Sequence, residues 1–216
     1  MKNVSTPAAT TGAFRIHTIL IAVTLLFTGL ASGETIVVSP LGNLTIQDAI
    51  DLAQDGDTVV LLDGIYQGDG NRDLNFTGKA ITVRSLSGDP TSCVIDCQGT
   101  EEENHYGFLF DHGEGLDSVL EGVTIANGYA SWAGGVWCQT GFPTIANCRF
   151  IDNVGTEGGG VCTHGFSNIV DCYFQGNTAI NGGGVSACCM DDEIATLERC
   201  TFVGNTAADY GGGFRC

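Results

Sequence analysis

One pattern recurs through the second half of this chain and limits what it can fold into: FIDNVGTEGGG at 150–160, FQGNTAINGGG at 174–184 and FVGNTAADYGGG at 202–213. A looser TIAN at 124–127 opens the series, so the aligned asparagines are Asn127, Asn153, Asn177 and Asn205, spaced by 26, 24 and 28 residues. Five residues before each of the last three stand Cys148, Cys172 and Cys200. Each asparagine is followed by a glycine run ending at Gly135, Gly160, Gly184 or Gly213, and then by another cysteine: Cys138, Cys162, Cys188 or Cys216. A unit this short cannot bury a core by itself, so its copies must stack.

Within the unit, runs such as TIANCRFID and NIVDCYFQG alternate apolar and polar residues, the period of half-buried strands. Nothing after residue 120 carries a helical period of ten or more residues. Two or three short strands per unit, with no helix, predict one rung of an all-β parallel solenoid whose equivalent positions stack at roughly 4.8 Å. Phe150, Phe174 and Phe202 are then an interior stack, with Cys148, Cys172 and Cys200 pointing the same way. Asn127, Asn153, Asn177 and Asn205 are the inward asparagines of a corner, bonding the turn backbone and one another. The glycine runs are corners where a Cβ would crowd the next rung or where φ is positive. The cysteines are read mainly as packing columns, with disulfides between neighbours left open. A leucine-rich repeat matches the spacing of IANCRFIDN but not the rest of the unit, which supplies no leucines for a convex side.

Ahead of the repeats, TIQDAIDLAQDGDTVVLLDGIY occupies 45–66. Ile46, Ala49, Ile50 and Ala53 fall on one helical face, Thr45 is placed as N-cap and Asp48 at the reciprocal capping-box position. This helix is expected to plug the open end of the first rung, before the strand TVVLL. The organisation is therefore a segment 1–31, a cap over 32–66, irregular rungs over 67–121 and regular rungs over 122–216. The chain stops in mid-unit at Gly213–Cys216 without a polar closing element, which implies further rungs of a longer protein or a covering partner.

The first segment has the order of a secretory signal. Arg15 and His17 precede an apolar run at 18–31, and small residues Gly29, Ala31 and Gly33 mark cleavage near 31–33. The run is too short for a comfortable span, so no transmembrane segment is expected in the mature chain. Cleavage takes Lys2 and Arg15 from the 8 basic residues and none of the 25 acidic ones, moving the formal charge from −17 to −19. The remaining basic residues are scattered, which excludes nucleic acid as a partner. Ten cysteines without a zinc-type CxxC pair fit an oxidising compartment, outside the cell or at its surface.

No motif fixes a chemistry. The glycine runs lack the lysine and following helix of a phosphate loop. For polysaccharide cleavage, two carboxylates on a groove would serve a hydrolase; Asp191 and Asp192, with Glu193 in the longest unit and Asp171 or Asp209 nearby, are the candidates. A lyase would need a basic proton acceptor, and Arg149 and Arg199, each beside a column cysteine, are the options. Cys162 and His164 share a CTH triplet. His105 and His112 flank a short apolar run without an evident third ligand. Asp55–Asp57 and Asp69–Asn71 read as turns rather than a twelve-residue calcium loop, so no cofactor is assigned and calcium rests on acidity alone.

These repeats resemble those of right-handed parallel β-helix proteins, and are similar to the F-x-x-N…G-G-G units of chlamydial polymorphic outer-membrane proteins and other large bacterial surface proteins. The segment 45–66 also resembles the N-terminal cap of β-helix polysaccharide lyases and hydrolases. Together the resemblance covers about residues 34–216. It implies a right-handed parallel β-helix, and either an exported structural or adhesion-type domain meeting a glycan or cell-surface partner, or a polysaccharide-binding or polysaccharide-cleaving protein. The chain departs from the polygalacturonase pattern: it has Asp191-Asp192 alone, and both His-Gly pairs, at His112 and His164, precede it.

Overall fold

The computed structural model describes residues 33–187 and 195–216. The proposed signal segment 1–31, Cys188, Cys189 and the acidic candidates Asp191, Asp192 and Glu193 lie outside the described residues. The described chain is a parallel β-solenoid of about seven turns, with one short helix. Three parallel sheets run along it. The first holds Thr35–Val38, Thr58–Leu61, Thr82–Ser85, Val119–Glu121, Thr144–Ala146, Asn168–Val170 and Thr196–Glu198. The second holds Gly64–Tyr66, Cys93–Asp96, Thr124–Ala126, Arg149–Ile151, Tyr173–Gln175 and Thr201–Val203. The third holds Leu74–Asn75, Phe108–Phe110, Val136–Cys138, Val161–Thr163, Val185–Ala187 and Phe214–Arg215. From Thr58 onward each coil visits the three in that order, so every strand between the two ends of a sheet is bonded to the coil before and the coil after. A fourth, two-stranded sheet joins Thr178–Asn181 to Thr206–Tyr210.

Register follows the predicted columns. Phe150 pairs with Phe174 and Phe174 with Phe202. Their rings are stacked at 4.8 and 4.9 Å between centroids and within 8° of parallel. Phe150 and Phe174 are fully buried, and Phe202 in the last coil is half-buried. Three residues on, the asparagines form a hydrogen-bonded ladder. The Asn177 side chain accepts from the backbone N–H and the Nδ2 of Asn153 (3.0 and 3.1 Å) and donates to the Phe150 carbonyl and to Asn205 Oδ1 (both 2.9 Å). Asn153 repeats this one coil earlier, accepting from Gly128 N–H and donating to the Ile125 carbonyl.

Asn127 is not part of that ladder. Ile125 pairs with Phe150, so Gly128 rather than Asn127 occupies the equivalent inward site. Asn127 lies one residue earlier, exposed, with φ 55° and its amide on Asp96. Its true counterparts are Asp152, Gly176 and Gly204, all with positive φ. A second left-handed corner stacks Gly122, Asn147, Asp171 and Arg199, two residues ahead of the second-sheet strands. These corners favour Gly, Asn and Asp, whose short side chains tolerate the left-handed region. Neither corner is the glycine run.

Gly135, Gly160, Gly184 and Gly213 instead stack on one another for lack of room. A Cβ on Gly160 would lie 2.6 Å from the Gly184 carbonyl oxygen and 2.8 Å from Cδ1 of Phe174. None of the four has positive φ, and Gly107 extends their column one coil earlier through its N–H to the Gly135 carbonyl. Gly160→Ala is therefore expected to lose about 1–3 kcal/mol through overpacking, read as a lower urea midpoint; an unchanged midpoint would contradict a close-packed column.

Cys148, Cys172 and Cys200 form the predicted inward column as free thiols, the first two buried. Each sulfur has a carbonyl of its own corner and one of the preceding coil within reach of its single S–H, as Cys172 has Val170 (3.3 Å) and Ile145 (3.5 Å). The second cysteine series is not a column. Cys138 pairs with Phe110 and Thr163, whereas Cys162 pairs with Trp137 and Ser186. The two differ by one residue in strand position, so they face opposite sides of the sheet.

The helix Ile46–Leu52 is capped as its sequence requires: Thr45 Oγ1 accepts from Asp48 N–H, and Asp48 reaches back to Thr45 N–H. At its other end Lys79 Nζ bonds the Ile50 and Asp51 carbonyls at 2.8 and 2.9 Å, placing a cation on the negative end of the dipole. Ile46, Ala49 and Ile50 are buried. The strand Thr35–Val38 precedes the helix and pairs with Thr58–Leu61, so the helix is inserted within the first coil.

Candidate functional site

Arg149 and Arg199 are both engaged by residues of an adjacent coil. Arg149, facing outward from the second sheet, lies over the Tyr173 ring at 5.2 Å from its centroid. Arg199 forks onto both Asp171 carboxylate oxygens at 2.6 and 2.8 Å and also reaches Glu198. The guanidinium hydrogen bonds hold the Asp171 carboxyl below its usual range. That fork ties Asp171 to a basic partner at the corner between the first and second sheets, while Asp209 lies on Thr206–Tyr210, between the second and third. The structure does not bring these two carboxylates together.

The histidines are likewise taken. His105 Nδ1 is 2.6 Å from Asp73, and His112 Nδ1 is 2.6 Å from Asp111. Among the described residues no group of three or more His, Cys, Asp and Glu is placed to hold a metal ion. No helix among them is long and apolar enough to cross a membrane.

The outward face of the third sheet is different, because its side chains break the repeat. Trp137 and Cys162 are paired neighbours on this face. Cys162 Sγ lies 3.8 Å from His164 Nε2, a loose contact in a partly buried position. Trp132, in the loop before the strand, folds back so that its indole stacks on that of Trp137 at 5.4 Å and 9°. The His164 ring stands nearly perpendicular to Trp132 at 6.0 Å. Trp132 remains 43% exposed, and Nε1 of Trp137 is buried without an acceptor.

Beside this pair runs a shallow groove made of two adjoining cavities. One, of about 210 Å³, is lined by Asn104, Tyr106, Ala130, Ser131, Trp132 and Trp137 together with Ala133. The next, of about 180 Å³, shares Asn104, Ala130 and Ser131 and adds Tyr129 and Thr156 among its walls. The Tyr106 phenol is pushed upward by burial and by the nearby Asp73 and Asp111 carboxylates, so it stays a neutral donor. Neither cavity is lined by Lys, Arg, Asp or Glu. The groove can therefore stack and hydrogen-bond a neutral group.

Sequence reasoning missed this groove. Its signal was compositional: the chain's two tryptophans lie five residues apart in SWAGGVW, one of them at an outward strand position. No family model matches the chain, and no curated protein or solved structure is significantly similar to it.

Proposed function

We propose that this chain is an exported, adhesion-type β-solenoid of a bacterial surface protein: a rigid shaft that carries a recognition groove on its flank and performs no chemistry. The observation that carries this reading is the division of labour among its residues. Phe, Asn, Cys and Gly of the repeat are consumed by internal ladders, while the residues that break the repeat gather into an exposed aromatic groove. The likeness of FQGNTAINGGG and FVGNTAADYGGG to surface-protein repeats, and the signal-like order of residues 1–31, support export. The acidic surface suits a soluble exterior and disfavours polyanionic partners.

Cleavage of a polysaccharide finds less support, since Arg149 and Arg199 are engaged by Tyr173 and Asp171 away from the groove. The full chain, expressed in a Gram-negative host, is expected outside the inner membrane with a new N-terminus near residues 31–33. The purified protein should release neither new reducing ends nor unsaturated uronates from a glycan panel, with or without calcium. Retention in the cytoplasm with Met1 intact, or turnover of any glycan, would overturn the reading.

A further inference from the structure

We infer that the groove beside Trp132 is a binding site for a neutral oligosaccharide, two consecutive sugar rings lying across neighbouring coils. The inference rests on the recognition role proposed above and names its ligand class. Four observations converge. Trp132 presents an open indole surface, held flat by the parallel ring of Trp137 behind it; the C–H-rich face of a pyranose is a natural partner for such a platform. The two cavities, about 210 and 180 Å³, are each below the roughly 300–1,000 Å³ of a drug-sized pocket. Each suits one ring, and their shared wall of Asn104 and Ser131 makes the sites consecutive.

The polar lining is of amide and hydroxyl type (Asn104, Tyr106, Ser131, Thr156), which hydrogen-bonds sugar hydroxyls without demanding charge. Trp137 also lines the first cavity, and its Nε1 is a buried donor left without an acceptor, an unsatisfied polar atom in a wall of the groove. Charge narrows the class further. Glu101, Glu102 and Glu103 stand exposed immediately before Asn104 and repel uronates. A quaternary ammonium would need ring faces enclosing a point, whereas these indoles lie within 9° of parallel and form a platform.

Both tryptophans of the chain belong to this site, so tryptophan fluorescence, excited where tyrosine does not absorb, reports on it alone. The full mature chain is titrated with cellohexaose, mannohexaose, xylohexaose, maltohexaose and N-acetylchitohexaose, with hexagalacturonate and choline as contrasts. A saturable change with at least one neutral hexaose, and none with hexagalacturonate, is expected. By calorimetry, Trp132→Ala should weaken that binding roughly ten-fold or more, and Trp132→Tyr should recover most of it. Trp132 is largely outside the core, so unchanged far-ultraviolet circular dichroism is expected for both variants. Failure of every neutral hexaose, equal binding by Trp132→Ala, or a preference for choline or hexagalacturonate would overturn the assignment while leaving export and inertness intact. Cleavage of a bound hexaose would instead overturn the non-catalytic reading while supporting the groove.

Discussion

Asn177→Ala should cost about 3–5 kcal/mol of stability, a loss reserved for point substitutions that break a buried network. The alanine removes four hydrogen bonds at once. It leaves the backbone N–H of Asn153 buried without a partner, at about 1–3 kcal/mol, and takes from the Phe150 carbonyl its side-chain donor. For a chain of this size that corresponds to a melting point lower by about 10 °C or more, measured by calorimetry and by the urea midpoint. Asn177→Asp keeps the acceptor for Asn153 but loses both donors and faces the Phe150 carbonyl and Asn205 Oδ1 with a carboxylate. Its folded-state pKa is raised, so the damage should be greatest at neutral pH and ease as pH falls toward the carboxylate range. Asn127→Gly, at an exposed left-handed corner, should leave the midpoint nearly unchanged. Equal losses at Asn127 and Asn177 would contradict the register described above.

A steep alkaline collapse is the second large effect expected. Burial pushes the thiols of Cys93 and Cys138 up to about 12, and burial with the Asp73 and Asp96 charges raises Cys97 as well. An unfolded thiol ionises near 8.5. Above that pH the unfolded chain releases protons that the folded chain retains, so stability falls with rising pH by about 1.4 kcal/mol per unit for each such thiol. The contribution is complete below about pH 8.5 and is lost as pH climbs toward the folded values near 12. Three thiols together give about 4 kcal/mol per unit, which exhausts an ordinary stability of 5–15 kcal/mol within a few units. Melting temperatures should be flat from about pH 6 to 8 and fall sharply between about pH 9 and 11. Cys138→Val, keeping the volume without the proton, should lower the slope by that thiol's share, about 1.4 kcal/mol per unit. A melting point that holds to pH 11, or a slope untouched by the valine, would rule out buried thiols as the cause.

Much of this molecule was legible because its information is repeated. Phe150, Phe174 and Phe202 share strand parity, and stacking turns shared parity into ring contact. Thr45 and Asp48 are local, so their reciprocal bonds follow from spacing alone. The misreading at Asn127 has a plain cause: TIANG offers an asparagine one position early, next to the glycine that occupies the inward site. Matching residue types aligned the asparagines, but the strand pairing of Ile125 with Phe150 decides which way each points. Cys138 and Cys162 failed in the same manner, one residue apart in strand position. Arg199 and Asp171 are 28 residues apart and meet only because coils stack. The groove was least legible, since Trp132 reaches Trp137 by a loop reversal that no period encodes.

The asparagine ladder has a direction, and direction becomes order in time. The buried N–H of Gly128 is satisfied by Asn153, that of Asn153 by Asn177, and that of Asn177 by Asn205. Each coil is thus completed by the one synthesised after it. A chain emerging from its N-terminus carries a single unfinished coil at its growing end, behind which every corner is already sealed. Assembly of this kind advances like a ratchet, and each newly docked asparagine makes the preceding coil harder to reopen.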